Sequence, residues 1–130
     1  MNARWRYRPM TKKIETAHSF GLRAEDMAVL ILRLKGYRIL ARRYKTPVGE
    51  IDIIARRGRV VAFVEVKARA VLSDALSCLR PQNRARIIRT AEHYLAATPE
   101  AADYTLRFDF IALAPPFSWR HLDNAWLAPT

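Results

Sequence analysis

The stretch "GEIDIIARRGRVVAFVEVKAR", residues Gly49–Arg69, decides the fold of this chain. Two runs rich in isoleucine, valine and phenylalanine lie on either side of a single glycine. That pattern predicts two antiparallel strands joined by a tight turn. If residues 57 and 58 form the turn, the strands span residues 50–56 and 59–67. Asp52 then lies opposite Phe63, and Ile51 lies opposite Val64.

This pairing divides the side chains of the hairpin into two sets, because successive residues of a strand point to opposite faces. One face is wholly apolar and carries Ile51, Ile53, Ala55, Val60, Ala62, Val64 and Val66. The other face carries Glu50, Asp52, Ile54, Val61, Phe63, Glu65 and Lys67. We therefore expect the first face to pack on the core and the second to gather the charged residues.

The charged residues of the second face suit a divalent metal ion. Asp52 and Glu65 become diagonal neighbours, with backbones roughly 5 to 8 Å apart. Mg²⁺ takes oxygen ligands, usually one or two carboxylates together with water and substrate phosphate oxygens. Lys67 lies on the same face, where an ammonium group could hold an attacking water or balance charge developing on a phosphate. The alternative is an ordinary ion pair of Lys67 with Glu65 or Asp52, which would contribute little.

A third carboxylate comes from the first predicted helix, "GLRAEDMAVLILRLK", residues 21–35, which ends at a glycine. Glu25 points towards an apolar and therefore sheet-facing surface, since its neighbours on a helical wheel are Leu22, Ala28, Val29 and Leu32. A buried carboxylate needs a cation or hydrogen bonds as partners. A metal ion would supply one, and a helix cap or a surface ion pair with Arg23 or Arg33 is the alternative.

The remaining segments predict an α/β fold. Residues 37–45 and 104–113 read as strands, residues 82–97 as a second helix, and residues 118–122 as a short edge strand. The order helix, three strands, helix, strand suits a mixed sheet with helices packed on it. Arg107 and Asp109, two apart on the later strand, are expected to form an ion pair that stabilises the sheet.

Length and composition set the context for these elements. A chain of 130 residues fits one domain, and we expect residues 1–20 to form a flexible basic arm and residues 21–130 the domain. The single cysteine, Cys78, excludes an intramolecular disulfide framework. No apolar run approaches the length that spans a membrane, so we expect a cytoplasmic protein without a membrane partner.

The net charge of +11 points to a polyanionic partner, with nucleic acid as the first candidate. Basic residues flank the predicted metal site in sequence and recur along the second helix. Those expected to contact phosphates are Arg42, Arg43, Lys45, Arg69, Arg84 and Arg86. For each one taken singly, simple solvation is the alternative, and an acidic protein is a weaker candidate partner for the whole chain.

Four segments together, "GLRAEDMA", "KGYRILARRYKTPVGEIDIIA", "VAFVEVKAR" and "RFDFIAL", closely resemble the bacterial YraN family. The resemblance covers about residues 21–125 and implies a restriction-endonuclease-like fold of the PD-(D/E)XK superfamily, near the archaeal Holliday junction resolvases. By position, Asp52 resembles the motif aspartate, and Glu65 and Lys67 resemble the acid–lysine pair. Glu25 resembles the helix carboxylate, and the carbonyl of Val66 is implied as a metal ligand.

One segment departs from the family pattern: the second helix begins "RPQNRAR", where many relatives carry a basic start rich in lysine or glutamine. Taken together, motif and charge predict a Mg²⁺- or Mn²⁺-dependent endonuclease that hydrolyses DNA, on branched or damaged structures. The alternative is a DNA-binding module that retains the nuclease fold without turnover. A homodimer is implied only by analogy with the junction resolvases.

Overall fold

A computed structural model describes residues 12–125 of the protein, with residues 12–22 as backbone only. Each strand and helix bound differs from its prediction by two residues or fewer, except at the start of the first helix. Single turns of 3-10 helix occupy Pro81–Asn83 and Pro99–Asp103. The main elements are α1 Lys12–Leu34, β1 Arg38–Thr46, β2 Gly49–Arg57, β3 Val60–Ala68, α2 Leu72–Leu76, α3 Arg84–Ala96, β4 Thr105–Ala114 and β5 Ser118–Leu122.

The five strands form one mixed sheet in the order β1-β2-β3-β4-β5. Strands β3 and β4 are parallel, and the other neighbouring pairs are antiparallel. Two parallel neighbours need a crossover connection, which α2 and α3 supply. The expected α/β class, with helix, three strands, helix and strand around a mixed sheet, is therefore confirmed.

The first helix is longer than predicted. Residues 12–20, which precede the predicted start at Gly21, are already helical, and they contain neither proline nor glycine to interrupt the helix. The part of the expected arm formed by residues 1–11 lies outside the described residues. Leu30 and Leu34 of this helix are 57% and 79% exposed. The buried stripe instead follows the side of the helix that carries Ala24, Glu25, Ala28 and Leu32.

The hairpin register differs by two residues from the predicted one. Phe63 pairs with Ile54 rather than with Asp52, and Arg57 pairs with Val60, so the turn consists of residues 58 and 59. Gly58 has a φ of 60°, and glycine at the first of two turn positions is the type II′ preference. A turn with the glycine second would require a positive φ at Arg57 or a geometry that splays the strands. A shift of two residues does not by itself move a side chain to the other face, because side chains alternate with a period of two.

Helices cover both faces of the sheet. The face that carries Asp52, Glu65 and Lys67 therefore also buries apolar side chains. Beneath α1 lie Ile53, Ala55, Ala62 and Val64, together with Ile111 and Leu113 of β4. On the other face, under α2 and α3, a second set of apolar side chains is buried. It comprises Ile51, Ile54, Val61, Phe63, Phe110 and Ala112.

Ile51 departs from its predicted face. It packs in the same cluster as Ile54, three residues away, and in the neighbouring strand Ala41 and Tyr44 do likewise. Strict alternation would separate residues three apart, so both strands change face between these positions. In β1 the change occurs beside Arg43, whose φ is 52°. In β2 the change lies at residue 52, one of the predicted site residues.

Within residues 12–125, no helix is long and apolar enough to cross a membrane.

Candidate active site

The predicted site lies where β2 and β3 separate. The ladder between these strands runs from the turn to the pair Ile53 and Val64. At the next position a side chain replaces the backbone ladder: Oδ2 of Asp52 accepts a hydrogen bond of 2.7 Å from the backbone amide of Val66. The amide and carbonyl of one residue in an extended strand point to the same side. The Val66 carbonyl therefore faces the gap beside Asp52.

Burial governs the ionisation of Asp52. It raises the pKa of this carboxyl to about 6, against the opposing effect of the Val66 hydrogen bond. The charges of Glu65 and Glu25 raise the pKa further, whereas the charge of Lys67 lowers it. Three other predicted site residues thus lie near enough to Asp52 to act on its charge. A carboxylate in such surroundings is stabilised by an added cation.

Glu65 and Lys67 lie on β3 on either side of Val66. The Glu65 side chain is 10% exposed and the Lys67 side chain 36% exposed, and Lys67 Nζ stands 3.6 Å from Glu65 Oε2. This contact is longer than a charge-assisted hydrogen bond. The ion pair considered as the alternative to a catalytic lysine is therefore present, in a loose form that leaves the ammonium group open to solvent.

Glu25 is buried against the sheet, as its place on the helical wheel predicts, but its partners are different from those expected. Arg42 donates to Oε1 from Nε at 3.2 Å and from Nη2 at 3.0 Å. Arg43 donates to Oε2 from Nε at 3.3 Å. Arginines of β1 therefore satisfy both oxygens, and neither Arg23 nor Arg33 forms the ion pair that the sequence suggested.

Asp52 and Glu65 carry the oxygen donors that a hard divalent cation prefers. Within residues 23–125, neither Oδ1 of Asp52 nor Oε1 of Glu65 accepts a hydrogen bond from another side chain or backbone amide. Two carboxylates and a backbone carbonyl are sufficient for Mg²⁺, which keeps several waters in its coordination shell. No group of three or more histidine, cysteine, aspartate or glutamate side chains in the described part of the chain is arranged to hold a metal ion. Glu25 is therefore outside the donor set in this arrangement.

Some, but not all, of the predicted phosphate-binding residues lie at the end of the sheet that carries Asp52, Glu65 and Lys67. β2 begins and β3 ends there, since the two strands are antiparallel. Lys45, near the end of β1, and Arg69, just after β3, are exposed at this end of the sheet, and the side chain of Arg86 lies against Gly49. Arg42 and Arg43 are close by but engaged with Glu25. Arg84 lies further along, with a buried Nε that has no hydrogen-bond partner among the described residues.

Comparison with known proteins places the chain in a family. Residues 24–113 match the model described as "Uncharacterised protein family UPF0102". The chain belongs to the UPF0102 family. A UPF0102 protein of Parvibaculum lavamentivorans is 53% identical over 110 residues, which cover 85% of this chain and 83% of the relative. One of Bradyrhizobium sp. (strain BTAi1) is 49% identical over 123 residues, covering 95% and 90%.

Membership of the UPF0102 family confirms the YraN-like resemblance of the sequence motifs. The matched region contains Glu25, Asp52, Glu65 and Lys67, so the whole candidate site lies within what defines the family. The names of these UPF0102 relatives state no activity. The chemistry of the site therefore has to be argued from the residues themselves.

A second polar cluster was predicted only in part. Arg107 holds the buried Asp109 through two hydrogen bonds of 2.8 Å, which confirms the expected ion pair. His121 Nε2 also lies 2.8 Å from this carboxylate, and the Asn124 amide donates to it at 3.0 Å. Burial alone would raise the pKa of Asp109, but the hydrogen bonds from His121, Arg107 and Asn124 lower it to about 2.

His121 was missed because its partners become apparent only once β5 is paired with β4. Lys35 Nζ lies 2.7 Å from His121 Nδ1. An ammonium group can only donate, so Nδ1 accepts and the proton of a neutral ring is on Nε2, facing Asp109. One feature of the sequence could have indicated this contact. The predicted edge strand at residues 118–122, once paired antiparallel with β4, brings His121 beside Ile111. The fully buried aspartate makes this a structural cluster rather than a substrate site.

An apolar groove in the described part of the chain lies away from both clusters. It encloses about 430 Å³ between α1 and the loop before β5. Its lining offers no carboxylate, so it is not part of the candidate site. The lining residues are Met27, Leu30, Ile31, Leu34, Lys35, Pro116, Phe117 and Trp119.

Proposed function

We propose that the protein is a Mg²⁺- or Mn²⁺-dependent endonuclease of the PD-(D/E)XK type that hydrolyses DNA phosphodiester bonds. The observation that carries the proposal is the Asp52 carboxylate at the open end of the β2–β3 ladder, hydrogen-bonded to the Val66 amide. Glu65 and Lys67 flank that residue on β3. An acid on one strand facing an acid and a lysine on the next is the arrangement that the sequence motif implies.

Each residue has a distinct part in the proposed reaction. Asp52, Glu65 and the Val66 carbonyl would hold the metal ion, which supplies Lewis acidity to the phosphate and lowers the pKa of a bound water. Lys67 is close enough to solvent to orient the attacking water or to balance charge developing on a phosphate oxygen. The low exposure of Glu65 limits screening by water and so strengthens its attraction for a cation.

The surrounding basic residues support a nucleic-acid substrate. Lys45, Arg69 and Arg86 are exposed at the same end of the sheet and would contact backbone phosphates without reading bases. A protein that reads the backbone responds to the shape of DNA, which agrees with the branched or damaged substrates implied by the resemblance to junction resolvases. A symmetric pair of copies for such substrates stays a prediction by analogy.

A non-catalytic DNA-binding module is the second candidate. It is favoured by the ion pairs of Glu25 with Arg42 and Arg43, together with that of Glu65 with Lys67. These pairs balance much of the charge of the site without a metal ion. In this second case the nuclease fold would present its basic end to DNA, and the motif residues would serve only stability.

Cleavage assays test the first candidate. Labelled linear, flapped and four-way-junction DNA would be incubated with Mg²⁺ or Mn²⁺ and either wild type, Asp52→Asn or Lys67→Ala. We expect each substitution to lower cleavage by about 100-fold or more, as for other groups that stabilise transition-state charge. Glu50→Gln is the matched control, because Glu50 is an exposed carboxylate on the same strand, and it should retain activity.

Two results would overturn the first candidate. Equal cleavage by all four proteins would identify a contaminating nuclease. Salt-sensitive DNA binding by wild type that persists in a metal chelator, with no cleavage of any substrate, would establish the binding module instead.

A further inference from the structure

The guanidinium groups of Arg42 and Arg43 can bind either the Glu25 carboxylate or a phosphate. Their guanidinium groups hold both oxygens of Glu25, whose side chain is 11% exposed. The arginine side chains themselves are 40% and 44% exposed. A phosphate arriving from solvent can therefore reach both arginines while Glu25 stays buried. Guanidinium groups bind carboxylates and phosphates with the same forked geometry, so the two anions compete for the same donors.

Glu25 also lies beside the candidate metal site. Its partners Arg42 and Arg43 lie on β1 next to Asp52 of β2, since Arg42 pairs with Ile53 and Tyr44 with Ile51. A buried carboxylate that loses its ion-pair partners is strongly destabilised unless another cation replaces them. The only site nearby that is suited to a cation, among the described residues, is the one formed by Asp52 and Glu65. Glu25 therefore has two alternative partners, the arginines of β1 or a metal ion.

We propose that Arg42 and Arg43 are positioning residues that withhold Glu25 from the divalent cation until a nucleic-acid backbone engages their guanidinium groups. The inference rests on the proposed function of the site and adds a link between its two ligands. Phosphate binding releases the Glu25 carboxylate, which then strengthens cation binding. Because linkage is reciprocal, the cation strengthens nucleic-acid binding by the same factor.

The carboxylates of α1 hold Arg42 more firmly than Arg43. Arg42 makes two hydrogen bonds to Glu25 and a third, of 2.6 Å, to the exposed Asp26. Arg43 makes a single contact of 3.3 Å and has a φ of 52°, a conformation that is unfavourable for an arginine. Arg43 is therefore the first to leave Glu25 when a phosphate competes for it.

Measurement of Mn²⁺ affinity tests this link without relying on cleavage. Free Mn²⁺ would be followed by electron paramagnetic resonance during titration of the protein, alone and with saturating phosphorothioate duplex, which keeps the backbone charge and resists hydrolysis. Binding of Mn²⁺ to the duplex alone would be subtracted. We expect the duplex to raise the affinity of wild type for Mn²⁺ by about tenfold, a typical size for linkage between two sites.

Substitutions assign the effect to the arginines. The double variant Arg42→Gln, Arg43→Gln should bind Mn²⁺ without duplex as tightly as wild type does with it, and should no longer respond to duplex. Glu25→Gln should stay at the weaker affinity in both conditions. Arg69→Gln is the matched control: an exposed arginine at the same end of the sheet with no contact to Glu25. It should bind duplex more weakly yet keep the full response at saturation.

The outcomes separate this inference from the proposed function. A duplex response that survives in the double variant overturns the inference and leaves the nuclease proposal intact. Mn²⁺ binding that is unchanged by Asp52→Asn overturns both. Arg43→Asn serves as a milder second variant in case the double variant does not fold, because asparagine tolerates a positive φ; an unaltered response there would also count against the inference.

Discussion

Asp52 and Val66 join β2 to β3 through a side chain rather than through the backbone ladder. The Asp52 carboxylate accepts the Val66 amide proton at 2.7 Å, just past the last backbone pair of the two strands. This contact fixes the orientation of the carboxylate by means of the backbone of the opposite strand. It also holds the strands together where they begin to part, so the same residue shapes the gap and supplies a ligand to it.

The raised pKa of Asp52 predicts a pH-dependent stability. Burial is the main cause of the rise from 3.8 to about 6. The folded state therefore binds this proton more tightly than the unfolded state, and the stability it gives is present below about pH 4 and lost as pH rises through 6. The Asp52→Asn variant should gain about 2 to 3 kcal/mol over wild type between pH 4 and pH 7, since each pKa unit corresponds to about 1.4 kcal/mol.

Urea unfolding of both proteins across that range is the measurement. The quantity to compare is the difference between their free energies of unfolding, because groups that do not interact with Asp52 titrate equally in both proteins. A difference that stays constant from pH 4 to pH 7 would show that Asp52 ionises normally, and the account of its burial would then be wrong.

Asp109 should behave in the opposite way. Its pKa is lowered to about 2, so its contribution to stability is present above about pH 4 and lost as pH falls through 2. Removing one partner of a buried ion pair leaves the other charge uncompensated, and Asp109→Asn should cost about 3 to 5 kcal/mol at pH 7. Chemical denaturation at pH 7 would measure the loss, which should shrink towards pH 2.

The nearby Asp123 provides the control for Asp109. It is exposed, and Asp123→Asn should change the free energy of unfolding by less than about 0.5 kcal/mol, as is usual for surface substitutions. Equal losses in the two variants would contradict the central place of Asp109 in the cluster with Arg107 and His121.

The local pattern of the sequence was sufficient to predict the order of the elements and the proximity of Asp52 to Glu65 and Lys67. Runs of β-branched residues around one glycine define a hairpin, and a hairpin is a local structure whose faces follow from alternation. The register could not be fixed in the same way, because a glycine can occupy either position of a two-residue turn. An error of two residues does not by itself change the face of a side chain, so Asp52 still lies beside Val66, between Glu65 and Lys67.

Other features depended on contacts between distant segments. The face change of β1 requires a positive φ at Arg43, which no propensity of arginine indicates. The arginine partners of Glu25 lie 17 and 18 residues away from it in the chain and on another element. His121 reaches Asp109 only through the pairing of an edge strand. Each of these follows from packing rather than from a repeating pattern.

Gly49 provides a test of how α3 sits on the sheet. A Cβ added there would lie 2.6 Å from Thr90 Oγ1 and 3.2 Å from Arg86 Cγ. Thr90 is fully buried and its hydroxyl donates to the Arg86 carbonyl, so it cannot easily move aside. Gly49→Ala should therefore destabilise the protein by about 1 to 3 kcal/mol, the range typical of overpacking.

A double-mutant cycle identifies the contact responsible. Adding Gly49→Ala to a Thr90→Ala background should cost less than adding it to wild type, because the hydroxyl that it would strike is gone, whereas the contact with Arg86 and the φ of 158° at Gly49 remain. The four free energies of unfolding come from urea titrations. Equal costs in both backgrounds would place the strain elsewhere, for instance against Arg86.

Arg43 gives a final prediction, in which a substitution at the candidate site increases stability. A non-glycine residue in the left-handed region costs roughly 1 to 2 kcal/mol, and asparagine tolerates that region better than arginine does. Arg43 gives the buried Glu25 only one hydrogen bond, of 3.3 Å, and Glu25 keeps both hydrogen bonds from Arg42 when Arg43 is replaced, so the loss of this contact should cost about 1 kcal/mol. Arg43→Asn should therefore be neutral or stabilising by up to about 1 kcal/mol, a difference that urea unfolding resolves.

Arg42→Asn is the matched comparison for Arg43→Asn. Arg42 has no positive φ to relieve, and it makes contacts with both Glu25 and Asp26. Its loss should destabilise the protein by about 1 to 2 kcal/mol, because the buried Glu25 then keeps only the weaker partner. If both variants were destabilised equally, the strained backbone at Arg43 would have no energetic weight, and the order in which the two arginines release Glu25 would have to be reversed or abandoned.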